Sequence, residues 1–351
     1  MLKYQNKRIE YIDALRGFTM ILVVFSHVEL FTFKYLDSFV NQVFISFRMP
    51  LFFFISGFIG YKANIIMNRN TWCIMSGKKC LIQLFPTLIF GFIYTLAYRH
   101  LDLNTFIFDD SKLGYWFTFV LLEMFLILYT LNLVLYNSNS EILKKRQVIS
   151  LIVLSILFLC SKLIIDKYPN KLVDALSFNY LFKYFSYFAF GFICSMNKIL
   201  FNKILQDRWF STAIIALFIC GFYVNYFHLD SIKYSNIIYL LLYNIIIIGF
   251  WGLLIVYNTF RVYQNSFTSD RYVGRLLQYI GKRTLDIYLL HFFFLPNVSQ
   301  IGDILKRGNN VVLELTIGIL ISIIVIGLCL CVSNILRTSP ILSKYLFGVK
   351  S

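Results

Sequence analysis

The stretch YIDALRGFTMILVVFSHVEL, residues 11–30, combines an apolar run with ionisable side chains. The run from Phe18 to Phe25 is typical of the beginning of a membrane helix. Asp13 and Arg16 precede this run, and His27 follows it within the same segment. Because ionisable groups at membrane depth are costly, they usually face a protein interior and take part in function. The stretch therefore predicts a membrane helix whose ionisable side chains need a structural or a functional explanation.

The rest of the chain has the composition of a membrane protein. Of its 351 residues, 59% are hydrophobic and only 14% are charged, and apolar runs of membrane-spanning length recur throughout. We therefore predict an all-α polytopic membrane protein that forms a single domain over residues 1–351. About ten transmembrane helices are expected, at residues 12–31, 43–61, 80–98, 115–136, 148–165, 180–197, 209–227, 237–257, 284–300 and 311–336.

The basic residues predict the orientation. With the N-terminus in the cytoplasm, 21 of the 33 Lys and Arg residues fall in segments on the cytoplasmic side and eight in the opposite loops. This excess follows the positive-inside rule and places both termini in the cytoplasm. The net charge of +16 is then explained by topology and by contact with anionic membrane lipids, so it gives no reason to expect a nucleic-acid partner.

The cysteines and histidines indicate no metal site. Most of the seven cysteines lie within apolar runs and none forms a CxxC pair, so we interpret them as small buried side chains. The four histidines do not cluster with them. We expect no disulfide and no bound metal.

Arg16 and His27 are predicted to share one face of the first helix. Eleven residues at about 100° and 1.5 Å each return to nearly the same direction, about 16 Å further along the axis. Asp13 precedes Arg16 by three residues, a spacing that allows an ion pair. In a structural interpretation, Asp13 and Arg16 neutralise each other and His27 hydrogen-bonds a neighbouring helix. In a functional one, Arg16 meets an anionic ligand and His27 is a general base or nucleophile.

Several stretches resemble the integral-membrane acyltransferases of acyltransferase family three. DALRG, residues 13–17, followed by His27 keeps the Arg–ten residues–His signature of that family. FRMPLFFFISGFI, residues 47–59, is similar to its second span, and GKKCLIQLFP, residues 77–86, to the basic patch and proline that follow. TLDIYLLHFF, residues 284–293, resembles its late Tyr–His segment. Many members have His before the Met-Pro pair, where this chain has Arg48.

The resemblance implies an enzyme that moves acyl groups, usually acetyl, from cytoplasmic acyl-CoA to hydroxyl groups of a surface or lipid-linked glycan. It implies that acetyl-CoA is the donor, without a metal, and that the enzyme lies in a bacterial inner membrane. Arg16, Arg48, Lys78 and Lys79 are the candidate CoA-binding residues, because Arg and Lys bind phosphate. His27 is the expected catalytic group, with Arg16 beside it. Direct base catalysis and a covalent acyl-His27 both remain open.

Other polar residues are further candidates for the acceptor side or for acid–base chemistry. His291 and Tyr288 share a helix face, and Glu123 is a lone carboxyl group in an apolar segment. Each has a structural alternative: an interhelical hydrogen bond for His291, and a paired or protonated carboxyl group for Glu123. Arg48, Tyr288 and the backbone amides around Ser56-Gly57 are unranked candidates for stabilising an oxyanion.

Three residue groups are expected to be structural. Ser56-Gly57 is predicted to allow close helix packing. Glu29 and Glu314 are predicted at a wet membrane boundary. His100 and His228 are predicted in solvated loops.

The main alternative function is a transporter or flippase for a lipid-linked sugar or small anion. Ten spans and an intramembrane Arg–His pair fit such a protein, although paired broken helices in corresponding halves are not evident. An accessory assembly subunit without chemistry is a third possibility.

Overall fold

The computed structural model describes residues 9–35, 38–62, 67–136, 139–168, 170–227, 248–308 and 310–348. All regular secondary structure within these ranges is helical, as predicted. The first eleven helices in chain order are α1 (Glu10–His27), α2 (Phe39–Gly60), α3 (Arg69–Lys79), α4 (Phe85–Ile93), α5 (Leu103–Phe108), α6 (Trp116–Val134), α7 (Ser140–Lys167), α8 (Lys171–Ala175), α9 (Phe178–Met196), α10 (Lys198–Gln206) and α11 (Arg208–Phe227). The remaining described helices are α12 (Gly249–Val262), α13 (Tyr272–Lys282), α14 (Thr284–Leu290), α15 (Ser299–Gly308), α16 (Val311–Leu336) and α17 (Pro340–Phe347).

Three π-helical segments that lie wholly within the described residues extend these helices. Val28–Phe33 continues α1, Cys80–Leu84 joins α3 to α4, and Tyr94–Tyr98 follows α4. Within the described residues, six helices are long and apolar enough to cross a membrane. They are Glu10–Phe33, Phe39–Gly60, Arg69–Tyr98, Trp116–Val134, Ser140–Lys167 and Val311–Leu336. The pair α9 and α10 makes a seventh if it is counted as one span, with a bend of 99°.

The predicted span at 284–300 is wrong as a continuous helix. α14 ends at Leu290, a single 3-10 turn covers His291–Phe293, and residues 295–298 are not helical before α15 begins. Pro296 explains the break, since proline removes a backbone donor and disfavours a helical residue before it. The predicted span at 237–257 lies partly outside the described residues. Six or seven spans thus meet the length and apolarity criteria in the described part of the chain, and the total of ten stays a prediction.

Pro86 does not interrupt the third span, because the helix changes its hydrogen-bonding register before it. The Phe85 amide donates to the Cys80 carbonyl, five residues back, at the end of the π-helical segment. A π-helical turn has one extra residue, which provides room for a side chain that breaks the regular pattern. Arg69–Tyr98 consequently runs through the proline as one long span.

Glycines bring the central helices into backbone contact. A methyl group on Gly17 of α1 would clash with the Leu277 carbonyl of α13, and one on Gly281 of α13 with the Asp13 carbonyl. Gly57 of α2 similarly meets the Phe188 backbone of α9. The predicted close packing at Ser56-Gly57 is thus confirmed for Gly57, while the Ser56 hydroxyl donates to the Phe52 carbonyl of its own helix. α1 is held in the interior of the bundle, whereas α7 is exposed along most of its length.

Candidate active site

Arg16 and His27 both contact the segment that begins with α14. Arg16 Nη2 donates to Thr284 Oγ1 at 3.0 Å, and His27 Nδ1 lies 2.7 Å from His291 Nε2. The predicted shared face of α1 is therefore confirmed. Arg16 Nη1 also lies 3.7 Å from Asp13 Oδ1, which confirms the predicted ion pair. The bond from Arg16 to Thr284 was not anticipated from the sequence.

The hydrogen bonds of the two histidines determine where their protons lie. His291 Nδ1 is 3.0 Å from the Ile287 carbonyl, which can only accept, so Nδ1 must carry the proton. In a neutral His291, Nε2 is then an acceptor, and His27 must donate to it from Nδ1. His27 Nε2 is left with a free lone pair, as a general base or nucleophile requires.

The environment of this histidine pair is aromatic and its two members differ in exposure. His291 is completely buried, while His27 is only half-buried. The His27 ring lies 5.0 Å from the Phe292 ring and 5.8 Å from the Phe31 ring, measured between centroids. This packing holds the His291 ring in place, so His27 is the member of the pair that is accessible. The expected interhelical bond of His291 is confirmed, and His27 is its partner.

Arg48 places a buried positive charge near both histidines. Its guanidinium group lies within electrostatic range of His27 and His291. Nη1 donates to the Val23 carbonyl in a long bond of 3.4 Å, and Nε has no partner among the described residues. A buried guanidinium with an unused donor is suited to an anion or to a carbonyl oxygen that gains charge during a reaction.

A second group of cations lies near Arg16. The Lys79 ammonium sits 3.4 Å from the centroid of the Phe125 ring and within electrostatic range of Arg16 and Lys62. Like charges repel, so bringing three of them together favours the binding of a polyanion. Lys78 is exposed. Lys79 is therefore the member of the predicted Lys78-Lys79 pair that the fold brings close to Arg16.

Tyr288 connects the histidine segment to the beginning of α6. Its hydroxyl donates to the Gly114 carbonyl at 2.8 Å and accepts from the Phe117 amide at 3.1 Å. The turn at 112–114 has three successive residues with positive φ, and Gly114 packs against Phe292. This position indicates that Tyr288 orients the segment carrying His291.

An ionic network that was not predicted secures the other end of α14. Asp286 is buried and accepts two hydrogen bonds from Arg337 of α16, at 2.8 and 2.9 Å, and one from Arg283 at 3.2 Å. Ser333 donates to the same carboxylate. Little in the sequence indicated this network. Asp286 follows Arg283 in an otherwise apolar segment, and nothing in that pattern identifies Arg337, 51 residues later, as its partner.

Glu123 lies near a lysine rather than in a hydrogen bond with the histidines. Its carboxylate is within electrostatic range of Lys112, and its Oε2 atom is buried without a partner among the described residues. Lys112 is itself buried, and its ammonium donates to the carbonyls of Ile107, Asp109 and Asp174. Burial lowers the pKa of Lys112.

The neighbouring Asp110 lies outside the membrane-spanning helices. Burial raises the pKa of Asp110 to about 6. Nearby, Trp116 stacks on Tyr180 with ring centroids 4.0 Å apart. Carboxyl groups and aromatic rings thus meet at the same end of α6.

Two acidic residues are more buried than predicted. Glu29 and Glu314 were expected at a wet boundary, but both are buried. The cause is the packing of α16 on α1, where Gly318 lets the Glu29 side chain fit between the helices. His100 lies in an exposed loop, as expected, and His228 lies outside the described residues.

The chain that carries the histidine pair, Arg48 and Arg16 matches one protein-family model. The model, described as an acyltransferase domain, covers residues 9–333, nearly the whole chain. No curated protein and no solved structure matches the chain. The matched range begins before α1 and ends within α16, so it includes each of these residues. The chain therefore belongs to acyltransferase family 3, whose members carry this membrane acyltransferase domain.

Proposed function

We propose that this membrane acyltransferase is an O-acetyltransferase. It would move the acetyl group of acetyl-CoA to a hydroxyl group of a surface glycan or its lipid-linked precursor. The observation that carries the proposal is the proton arrangement of the histidine pair, which leaves His27 Nε2 free. The distance between Arg16 and His27 along α1 suits acetyl-CoA, which has charged phosphate groups at one end and a reactive thioester at the other.

In the proposed binding mode, the phosphate groups of CoA contact Arg16 and Lys79. These cations already lie within electrostatic range of each other. The pantetheine arm extends along α1 toward His27, about 16 Å further along the helix. Arg48 then faces the thioester carbonyl, where its unused Nε donor stabilises the negative charge that develops on oxygen.

In the proposed reaction, His27 Nε2 takes the proton of the acceptor hydroxyl as its oxygen attacks the thioester carbon. A C–O bond forms, the C–S bond breaks, and the proton passes to the departing thiolate. CoA leaves as the free thiol. His291 stabilises the positive charge on His27 by accepting the hydrogen bond from Nδ1.

The covalent route uses the same residues in a different order. His27 Nε2 first attacks the thioester carbon, so that an N–C bond forms, the C–S bond breaks and CoA leaves as the thiolate. The acceptor oxygen then attacks the acetyl carbon, the N–C bond breaks, and the hydroxyl proton passes to solvent, where the thiolate takes one up. The two routes differ in a measurable way. Only the covalent route releases one equivalent of CoA per protein in a rapid burst without acceptor.

The test uses purified protein in detergent, titrated with acetyl-CoA in the presence of a glycan acceptor while free thiol is measured. We expect Arg16→Ala to weaken acetyl-CoA binding, and His27→Ala to retain binding while thiol release is lost. Arg146→Ala is the matched control, because Arg146 is an exposed arginine on α7. Melting curves establish that each variant is folded. Folded wild-type protein that neither binds nor cleaves acetyl-CoA would contradict the proposal and favour the transporter.

A further inference from the structure

A second buried polar cluster lies where three helix ends meet. Ser38 caps the N-terminus of α2: its hydroxyl accepts from the Asn41 amide at 3.0 Å and donates to Glu314 in the first turn of α16. Glu29, in the π-helical end of α1, lies within electrostatic range of Glu314. A methyl group built on Gly318 would be 3.1 Å from Glu29 Oε1. We call Glu29, Ser38, Asn41 and Glu314 the junction cluster.

The register of α1 and α2 brings Asn41 to the level of Glu29. The rings of Phe25 and Phe44 are in contact, with centroids 5.2 Å apart. The chain reverses direction between the two helices. One turn after Phe25 on α1 and one turn before Phe44 on α2 therefore lie side by side. Those positions are Glu29 and Asn41.

The side chains of Glu29 and Asn41 are the members of this cluster that are buried without a hydrogen-bond partner in the ranges that the structure describes. Glu29 and Asn41 are both 0% exposed, and Glu314 is 5% exposed. Neither carboxylate oxygen of Glu29 and neither amide atom of Asn41 has a hydrogen-bond partner among the described residues. Leaving such groups without a partner in a dry interior is costly, and folded proteins rarely do so. The cluster therefore points to a bound species that the protein atoms themselves do not supply.

Charge and donor type identify that species as a cation. When both carboxyl groups are ionised they contribute a charge of −2, and no ion pair between either of them and a basic side chain is found in the described part of the chain. The candidate ligand atoms are all oxygens, from carboxylate, amide and hydroxyl groups. Oxygen ligands select hard cations, and Ca²⁺ accepts irregular sets that mix carboxylate and neutral oxygens, whereas Mg²⁺ requires near-ideal octahedral geometry.

We propose that the junction cluster binds one calcium ion that ties the end of α1 to α2 and α16. The described residues contain no group of three or more His, Cys, Asp or Glu side chains suited to a metal. The proposed site has only two carboxylates, from Glu29 and Glu314. Its neutral oxygen ligands are Asn41 Oδ1 and the Ser38 hydroxyl. Glu29 follows His27 by two residues and projects from the opposite side of the helix. The ion thus lies apart from the histidine pair and fixes the helix that carries His27.

The experiment measures calcium binding and thermal unfolding of the full-length protein in detergent. After removal of divalent ions with EGTA, we expect radioactive calcium to bind at about one ion per chain. A hundredfold excess of Ca²⁺ over its Kd is expected to raise the Tm by roughly 5 °C. Glu29→Gln and Glu314→Gln should each abolish both effects. Asp303→Asn, which changes an exposed acid in the adjacent α15, should leave both effects intact.

The contrary result is equally clear. A pair of carboxyl groups that shares a proton needs no metal, so the wild-type Tm would be the same in EGTA and in calcium, and no ion would bind. Calcium binding that survives in both glutamine variants would also overturn the proposal. If the variants fail to fold, the wild-type binding stoichiometry and EGTA dependence still decide. The result is independent of acetyl transfer, because it needs neither acetyl-CoA nor an acceptor.

Discussion

At the scale of single residues, the histidine pair separates two roles that the sequence could not separate. His27 is half-buried and has a free Nε2, whereas His291 is buried with both nitrogens occupied. In the proposed reaction, His27 is the member of the pair that contacts substrate. In the same proposal, His291 is a positioning residue that fixes the tautomer and orientation of its neighbour, as the buried carboxylate does for the histidine of a serine protease.

The first prediction concerns His291. We expect His291→Ala to lower kcat by about 100-fold or more, because His27 loses the acceptor that selects its tautomer. The KM for acetyl-CoA should hardly change, since the proposed CoA-phosphate contacts lie at the Arg16 end. His291→Gln supplies an amide oxygen as acceptor and should recover part of the loss. An unchanged kcat in folded His291→Ala protein would show that the pair is only structural.

The second prediction concerns the pH dependence of stability. Burial is the main cause that raises the pKa of Asp110 to about 6 from 3.8, and it is opposed by a hydrogen bond with Asn179. Asp174 raises this pKa further, whereas Lys112 and Lys162 lower it. The folded state therefore binds the proton more tightly than the unfolded state does. This stabilisation is complete below pH 4 and is lost as the pH rises through about 6.

Asp110→Asn removes this titration while keeping a similar shape. We expect the variant to have a higher Tm than wild type at pH 8, and a smaller change in Tm than wild type between pH 5 and pH 7. The measurement is a series of melting curves across that range in the same detergent. Asp102→Asn is the control, since Asp102 is an exposed acid in the loop before α5. A wild-type Tm that rises between pH 5 and pH 7 by an amount that Asp110→Asn removes would contradict the assignment.

At the scale of helices, the local periodicity of the sequence correctly predicted the features that depend on residues close together in one helix. The Arg16–His27 face, the Asp13–Arg16 pair and the close packing at Gly57 all follow from the geometry of one helix. The partners of these residues could not be predicted in the same way. His291 lies 264 residues from His27, and Arg337 lies 51 residues from Asp286, so no local pattern connects them.

Errors in the predicted elements have equally specific causes. Hydropathy is averaged over a window, so it joined α14, the 3-10 turn and the non-helical stretch at Pro296 into one span. It also placed Glu29 and Glu314 at a wet boundary, because it assigns residues near the end of a span to the interface. Packing of α16 against α1 through Gly318 buries them instead.

The third prediction tests the contact between α1 and α13. Gly17→Ala and Gly281→Ala each place a methyl group against a backbone carbonyl of the other helix. Backbone cannot move aside as a flexible side chain can, so we expect a loss of about 1–3 kcal/mol of stability per variant. The measurement is the unfolding midpoint in a mild detergent. Activity should fall as well, because α1 carries His27.

Gly327→Ala is the matched control for this contact. Gly327 lies in α16, and a methyl group there would meet nothing within 4 Å. Alanine also favours helix more than glycine does. The control should be neutral or slightly stabilising. If Gly17→Ala and Gly327→Ala gave the same midpoint, the close approach of α1 to α13 would not contribute to stability.

At the scale of the whole molecule, the proposed chemistry depends on orientation. Along α1, the Arg16 contact comes first and the His27 contact about 16 Å later. If the N-terminus is cytoplasmic, the Arg16 and Lys79 charges face the compartment that contains acyl-CoA, and His27 lies toward the opposite side. The reverse orientation would put the same charges where no acyl-CoA is made. Topology therefore tests the proposal as directly as kinetics does.

The fourth prediction uses α7, a span whose two ends are both described. Ser140 begins it beside several basic residues, and Asn170 lies just beyond its other end. In a variant with the seven cysteines replaced by alanine, we expect Asn170→Cys to react with a membrane-impermeant maleimide in intact cells. Ser140→Cys should react only after the membrane is opened. This pattern follows from the positive-inside rule with both termini in the cytoplasm.

The inverse labelling pattern would have a definite consequence. It would place the Arg16 end of α1 outside and would exclude delivery of cytoplasmic acyl-CoA to that end, whatever the geometry of the histidine pair. Acetyl-CoA cleavage measured in detergent would not reveal this conflict, because detergent removes the separation of the two compartments. The intact-cell experiment is therefore needed beside the purified assay, since only it relates the positions of Arg16 and His27 to the two sides of the membrane.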